Sequence, residues 1–366
     1  MIKIEDLKTN CRYFKGDIPC KPSKLYEVNC VNCNYYKPSK EKILIIKLGA
    51  AGDVIRTTPL LYPLKNKYPD SMIYWLTYSP ELVPGNDSFD DIICADKILN
   101  FTLQNVLFLK EITFDVLINL DKDKEAISLA NSIQAKEKIG YTIKNGVCFP
   151  VNNSSEHKYL KGVFDEVSKM NTKTYPEEIF EMCGFSFNKE KYILPINKDF
   201  DSEWNIDKSK KVVGLNTGCG SRWTSRLWKD EYWIDLIKIL LKNNYEVILL
   251  GGEQEDEKNK YYSINSGAKY FGHFNLNTFI NLVNHCNIVV TQVTMGLHIA
   301  IGLDKKVILL NNIFNRNEFE LYGNGFIIEP EKECKCYFSP KCKNTDYNCM
   351  EYIKPETVFS KIELLK

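Results

Sequence analysis

Three groups of residues have the types and spacings to do chemistry. The first is Thr217-Gly-Cys-Gly-Ser-Arg-Trp-Thr-Ser-Arg226. Thr217, Gly218, Gly220 and Ser221 can turn backbone N–H groups and hydroxyls towards an anion. Arg222 and Arg226 follow, and guanidinium forks match phosphate oxygens geometrically. Downstream, Thr291-Gln-Val-Thr-Met-Gly-Leu-His298 runs from a strand end into a helix starting at Thr294. Such a start aims N–H groups and the positive dipole end at a ligand. Together these parts read as a site for a nucleoside diphosphate. The plainer readings are that the arginines are surface charges and that His298, inside an apolar helix, is a packed core histidine.

The second group is Gly49-Ala-Ala-Gly-Asp-Val-Ile-Arg56. Small residues let a backbone turn tightly and approach a ligand. Asp53 then opens an apolar-periodic stretch to about Lys67, expected to be one helix with Asp53 near its N-terminus. Strand, glycine loop and helix start make the layout of an α/β binding crevice. A two-glycine loop is a weak motif, and a fold-forming turn with Asp53 as a helix cap explains it equally well.

The third group is the cysteines, 13 in 366 residues. Cys94, Cys148, Cys183, Cys219 and Cys286 are scattered, and most of them read as small core residues. The other eight fall near the chain ends: Cys11, Cys20, Cys30 and Cys33, then Cys334, Cys336, Cys342 and Cys349. Four thiolates can close one tetrahedral metal site. The N-terminal spacing matches no standard finger, so free thiols or disulfides compete with structural zinc or iron.

The totals bound what these groups can belong to. The length suggests two domains, each with its own core. An apolar fraction of 44% and a charged fraction of 26% are those of an ordinary globular protein. A net charge of +1 points to no nucleic-acid partner. There is no apolar run long enough to span a bilayer. The N-terminus lacks a signal-peptide core, so a cytoplasmic location is expected.

Positioning the first two groups falls to two series of strands and helices. In the first series strands are expected at Ile43–Leu48, Ile73–Thr77, Ile92–Ala95, Val116–Leu120 and Lys138–Ile143. Helices are expected near 102–111, 123–134 and 156–183. In the second, strands are expected at Val212–Asn216, Glu246–Leu250, Ile288–Thr291 and Val307–Leu310. Its helices are expected near 232–242, 255–265, 277–286, 295–303 and 355–365. Such alternation implies mostly parallel sheets. The expected organisation is a cysteine-rich segment 1–41, a Rossmann-like domain 42–196, a linker 197–210, a second Rossmann-like domain 211–330 and a cysteine-containing tail 331–366.

The run Ile43-Leu-Ile-Ile-Lys-Leu-Gly-x-x-Gly-Asp-Val-Ile-Arg-Thr-Thr-Pro-Leu-Leu61 resembles the opening of glycosyltransferase family 9, the ADP-heptose heptosyltransferases. Residues 216–233, Leu249-Leu-Gly-Gly-Glu253, Thr294-Met-Gly-Leu-His-Ile-Ala300 and Glu318-Phe-Glu-Leu-Tyr-Gly323 resemble later motifs of that family, in the same order. The cysteine segments resemble those of a cysteine-rich branch.

The resemblance implies a GT-B fold, two Rossmann-like domains facing a central cleft. It also implies inverting transfer of a sugar, heptose first, from an ADP-sugar to a hydroxyl acceptor. Cell-surface glycan (lipopolysaccharide among them), a lipid-linked sugar or a protein would supply that hydroxyl. It makes Asp53 the base, with Gly49, Gly52 and Arg56 on the acceptor side. It gives the donor to Thr217, Gly218, Ser221, Arg222, Arg226, Gly252, Glu253, Thr294, Met295 and Gly296. No cofactor is implied for the chemistry; structural zinc or iron and a homo-oligomer are compatible with it, as is a place at the inner face of the membrane. Val293 stands where most members carry an acid, and Asn311-Asn-Ile-Phe-Asn315 replaces a usual stretch. Two other readings stay open: transfer of a different nucleotide sugar, and a catalytically silent, metal-binding assembly subunit.

Overall fold

The computed structural model describes residues 2–85 and 93–365. The chain divides into two compact units. Unit 1 comprises 1–49, 59–156 and 179–185; unit 2 comprises 50–58, 157–178 and 186–366.

Unit 1 is built on β1 (Lys42–Ile46), β2 (Met72–Thr77), β3 (Lys97–Asn100), β4 (Phe114–Asn119), β5 (Ala135–Lys144) and β6 (Val147–Pro150). Their spatial order is β3-β2-β1-β4-β5-β6, parallel up to β5 and antiparallel between β5 and β6. The central strands are continuous apolar runs because helices cover both faces of a parallel sheet. β2, Met-Ile-Tyr-Trp-Leu-Thr, is buried along its whole length. Leu44, Ile46, Tyr74, Phe114, Leu117 and Leu129 form the core on one face.

Unit 2 is built on β7 (Val212–Asn216), β8 (Glu246–Leu250), β9 (Ile288–Gln292), β10 (Lys306–Leu310) and β11 (Gly325–Ile328). The order is β11-β10-β9-β7-β8, all parallel. Trp228, Trp233, Leu240, Tyr262, Val290 and Ile308 pack with Met350 and Val358 from the C-terminal segment. The helix Pro355–Glu363 closes this core, and Trp228 Nε1 donates to the Ile353 carbonyl at 2.9 Å.

Several expectations shift. The single helix expected from Asp53 to Lys67 is three pieces: Ala51–Ile55, a 3-10 turn Thr58–Leu60, and Leu61–Lys67. Pro59 is the cause, since it has no N–H to give the Ile55 carbonyl four residues back. The Thr57 and Thr58 hydroxyls take up the carbonyls of Asp53 and Ile55, both at 2.7 Å. The helical stretch 156–183 is likewise Glu156–Val163, Asp165–Met170 and Tyr175–Met182. Ile92 of the strand expected at Ile92–Ala95 lies outside the described residues. Ala95 forms an isolated bridge with Gly85, and the strand proper is β3. The β5–β6 hairpin and β11 were not anticipated. Residues 197–210 pack on unit 2, where Trp204 sits between Phe271 and Phe274, each 5.2 Å away.

Candidate functional site

Unit 2 contains a cavity of about 840 Å³ whose lining includes Gly52, Asp53, Arg56, Gly218, Arg226, Gly252, Glu253, Thr294, Met295 and Gly296. Residues far apart in sequence therefore share one pocket, because 50–58 belong to the same compact unit as 186–366.

Asp53 lies inside the first turn of the helix Ala51–Ile55, whose N-cap is Ala50. The helix-cap reading of Asp53 therefore fails. Its side chain is 35% exposed and pairs with Arg56 Nε at 3.0 Å. Arg56 is buried and lies 3.5 Å from the centroid of the Tyr175 ring. Burial pulls the Arg56 pKa down, but Asp53 and then Tyr175 outweigh it, so the guanidinium is held more firmly charged than usual. On the other face of this turn a Cβ on Gly52 would stand 2.5 Å from His298 Cδ2. Only glycine lets the turn rest on the imidazole. His298 is buried, and burial, reinforced by Arg56, pulls its pKa down to about 3. It is neutral at physiological pH, and its Nδ1 has no hydrogen-bond partner among the described residues.

The helix Met295–Gly302 begins at the cavity. Thr294 is its N-cap and makes no side-chain cap bond. The Thr294 hydroxyl instead accepts from Asn216 Nδ2 at 2.9 Å. The first N–H groups of the helix lie on the cavity side without a side-chain cap, the arrangement that attracts anions. Arg226 is buried. It donates through Nη1 to the Val293 carbonyl and through Nη2 to the Cys219 carbonyl, the latter at 3.1 Å. Burial lowers its pKa from the ordinary arginine value. Its Nε has no partner among the described residues. Gly218 lets the Glu255 side chain come close: a Cβ there would meet Glu255 Oε1 at 2.0 Å, so a larger residue would displace that carboxylate. Glu255 in turn accepts from the Gly252 N–H at 3.0 Å.

Other expected residues stand elsewhere. Thr217 is sealed beneath the cavity, its hydroxyl on Asn259 Oδ1 at 2.6 Å. Ser221 and Arg222 are exposed and do not line the cavity; Arg222 lies over the Trp223 ring at 5.4 Å. Gly49 belongs to unit 1, where its N–H donates to Asp121 Oδ2 at 3.2 Å.

Two parts of the cavity have no place in the expected site: the carboxylate that heads the motif Glu318–Gly323, and an aromatic end. Glu318 lines it and pairs with Lys161 at 2.8 Å. Lys161 and Lys158 both pair with Glu178 at 2.8 Å. Trp223, Phe314 and Phe338 line the far end, with centroids 5.4–5.6 Å apart. No motif announces Phe338, which arrives from the cysteine segment.

In that segment Cys336 and Cys342 have their sulfurs 3.7 Å apart. Asn312 Nδ2 donates to Cys349 at 3.5 Å and lies 4.0 Å from Cys334. Among the described residues no group of three or more Cys, His, Asp or Glu side chains is placed so that it could hold a metal ion. No helix among them is long and apolar enough to cross a membrane.

Comparison with known proteins bears on the family and the fold. The family model for glycosyltransferase family 9 (heptosyltransferase) matches residues 108–347. A family 9 glycosyltransferase from Veillonella parvula is 18% identical, with a TM-score of 0.69 over 89% of this chain and 97% of that one. The ADP-heptose LPS heptosyltransferase II of E. coli is 14% identical, with a TM-score of 0.63 over 88% and 98%. TibC, an iron-containing dodecameric glycosyltransferase from enterotoxigenic E. coli, is 13% identical, with a TM-score of 0.55 over 89% and 76%. None of the curated proteins compared with the chain matches it. The architecture is the GT-B-like one of these structures. The chain belongs to glycosyltransferase family 9 and is a glycosyltransferase.

Proposed function

We propose that the protein is an inverting transferase that moves heptose from an ADP-sugar to a hydroxyl group of a surface glycan, a lipid-linked sugar or a protein. The observation that carries this is the sharing of one cavity by the Asp53 carboxylate, the start of the helix Met295–Gly302 and Arg226. Asp53 takes the proton of the acceptor hydroxyl. The oxygen bonds to the anomeric carbon from one face while the bond to the diphosphate breaks on the other, so the centre inverts. ADP leaves with the electron pair. The N–H groups of residues 295 and 296 and the charge of Arg226 stabilise it, so the chemistry asks for no cofactor. Gly218 and Gly252 let the nucleotide approach the backbone, Glu253 contacts the nucleoside, and Gly52 and Arg56 shape the acceptor side. Thr217, Ser221, Arg222 and Gly49 act through the loops they belong to.

Val293 favours a second donor. Its side chain lines the cavity and cannot hydrogen-bond a sugar hydroxyl, so a nucleotide sugar other than ADP-heptose is the competing reading. Incubation of the purified protein with a panel of nucleotide sugars, read as donor hydrolysis and thermal shift, separates the two. ADP-heptose should give the largest shift; a larger shift with another nucleotide sugar replaces it, and no shift with any of them leaves the silent-subunit reading.

The reading also includes a structural zinc or iron on Cys334, Cys336, Cys342 and Cys349. Four thiolates around zinc at about 2.3 Å stand roughly 3.8 Å apart, and the Cys336–Cys342 separation of 3.7 Å fits that spacing. A cytoplasmic protein, at the inner membrane face when its acceptor is lipid-linked, and assembly into a homo-oligomer complete the proposal.

A further inference from the structure

The N-terminal segment poses a physical problem that glycosyl transfer does not address. Of residues 2–41 only Cys11 and Pro22 are buried, while Ile2, Ile4, Ile18, Leu25, Tyr26 and Val31 are exposed. So little apolar burial does not offset the entropy of ordering such a segment. Yet its turns are specific. The Cys11 N–H donates to the Lys8 carbonyl at 2.9 Å, and Cys11 bridges to Pro38. Cys20 is the N-cap of the helix Lys21–Tyr26. Around Cys30-Val-Asn-Cys33, the Val31 N–H donates to Asn29 Oδ1 and the Asn29 N–H to Asn32 Oδ1, both at 2.9 Å. Arg12 anchors the segment to the rest of unit 1 through Asp96 at 3.0 Å and the Ser71 carbonyl at 2.9 Å.

All four cysteines line one cavity of about 20 Å³. That volume holds about one water-sized body, enough for an ion and too little for an organic ligand. The four carry no disulfide. Lys8 shares the lining and puts a positive charge beside what would be a net-negative tetrathiolate.

We infer that Cys11, Cys20, Cys30 and Cys33 hold one zinc ion, a structural centre separate from the transfer site. The four cysteines line the cavity, but among the described residues no three such side chains stand together where they could already hold a metal ion. Drawing four sulfurs to about 2.3 Å of one ion, with release of their protons, is the change that binding supplies. Four thiolates leave no open coordination position, so the ion orders the segment and does not touch substrate. The Cys30-x-x-Cys33 turn supplies two ligands from one knuckle; Cys11 and Cys20 supply the others from a bridge and a helix start.

The test uses the full chain purified without chelator. Elemental analysis should find one equivalent of zinc more in the wild type than in Cys30→Ser/Cys33→Ser. Cys342→Ser, which disturbs only the C-terminal set, should keep that equivalent. Equal zinc in the wild type and the double variant overturns the assignment. So do iron in place of zinc, and recovery of the four cysteines as disulfides. Should the double variant precipitate, cobalt exchange in Cys342→Ser decides. A sulfur-to-cobalt charge-transfer band of tetrathiolate strength supports the site, and immediate reaction of all four native thiols with a thiol reagent overturns it.

Discussion

Asp53 and Arg226 line the same cavity but are held in opposite ways. Asp53 keeps 35% of its side chain exposed and pairs with Arg56 within its own short helix. Arg226 is 6% exposed, with both terminal nitrogens given to backbone carbonyls. A group that must receive a proton needs room and an approach for the donor oxygen. A group that only supplies potential can be built into the wall, where low dielectric strengthens its field. The difference separates a residue expected to act on rate from one expected to act on binding and stability together.

The largest effect should come from the open residue. Asp53→Asn keeps size and polarity but accepts no proton, so turnover should fall by about 10² or more. ADP affinity and melting temperature should stay near those of the wild type. Equal turnover of the two proteins would remove Asp53 from the chemistry. The contrast breaks in another way if Asp53→Asn lowers the melting temperature substantially, for then the carboxylate is also part of the wall.

The sealed residue comes next. Arg226→Ala removes a charge from the cavity wall and should weaken ADP binding by roughly 1.5–3 kcal/mol, the scale of one charge pair several ångströms apart at an effective dielectric constant near 20, as read by calorimetry. Because the change also frees the Val293 and Cys219 carbonyls, the melting temperature should drop too. Unchanged ADP affinity with a lowered melting temperature would make Arg226 a structural tie alone.

The elements were largely legible in the sequence because parallel strands buried on both faces leave unbroken apolar runs, as at Ile43–Ile46 and Val247–Leu250. The breaks were harder. Pro59 signals one, and the threonine hydroxyls on the Asp53 and Ile55 carbonyls follow the usual i−4 and i−3 pattern, but the sequence does not say which threonines use it. The Asn145-Gly146 turn was a readable hairpin signal, and both residues have positive φ. In the site, glycine loops and the helix start are local features and could be read. Glu318 was readable as part of a motif, but its pairing with Lys161, the place of Phe338 beside Trp223 and the tie of Arg226 to Val293 join residues more than 60 positions apart, which no local pattern encodes. His298 was readable as a buried histidine; its place under Gly52, on the lining of the cavity, was not readable.

That place gives the third test, on the support beneath Asp53. The His298 pKa falls from 6.5 to about 3 on folding. Between these values the unfolded chain binds the extra proton. The stability from keeping His298 neutral is therefore complete above about pH 6.5 and is lost as pH falls, by about 1.4 kcal/mol per unit. Urea unfolding of wild type and His298→Gln at pH 7 and 5 should show the variant losing about 2 kcal/mol less over that interval, on the same scale. Parallel losses would show that the imidazole is not sealed under the Asp53 turn.

Glu318 lies between the two extremes and should give the smallest effect. It lines the cavity, is 16% exposed, and pairs with Lys161. Lys161 is buried but also pairs with Glu178, so losing Glu318 does not strand a charge. Glu318→Gln should therefore cost about 1 kcal/mol or less in stability, the scale of one partner in a partly solvated pair. If Glu318 touches substrate from its cavity position, KM for donor or acceptor should rise a few-fold with kcat nearly unchanged, since a ground-state contact is lost. Lys161→Met sharpens the point, because it leaves the Glu318 carboxylate without this lysine and Glu178 with Lys158 at 2.8 Å and the His157 imidazole at 3.8 Å. That variant should be the less stable of the two. Equal KM in wild type and Glu318→Gln, together with equal stability of the two variants, would show that Glu318 is neither a substrate contact nor stabilised through Lys161.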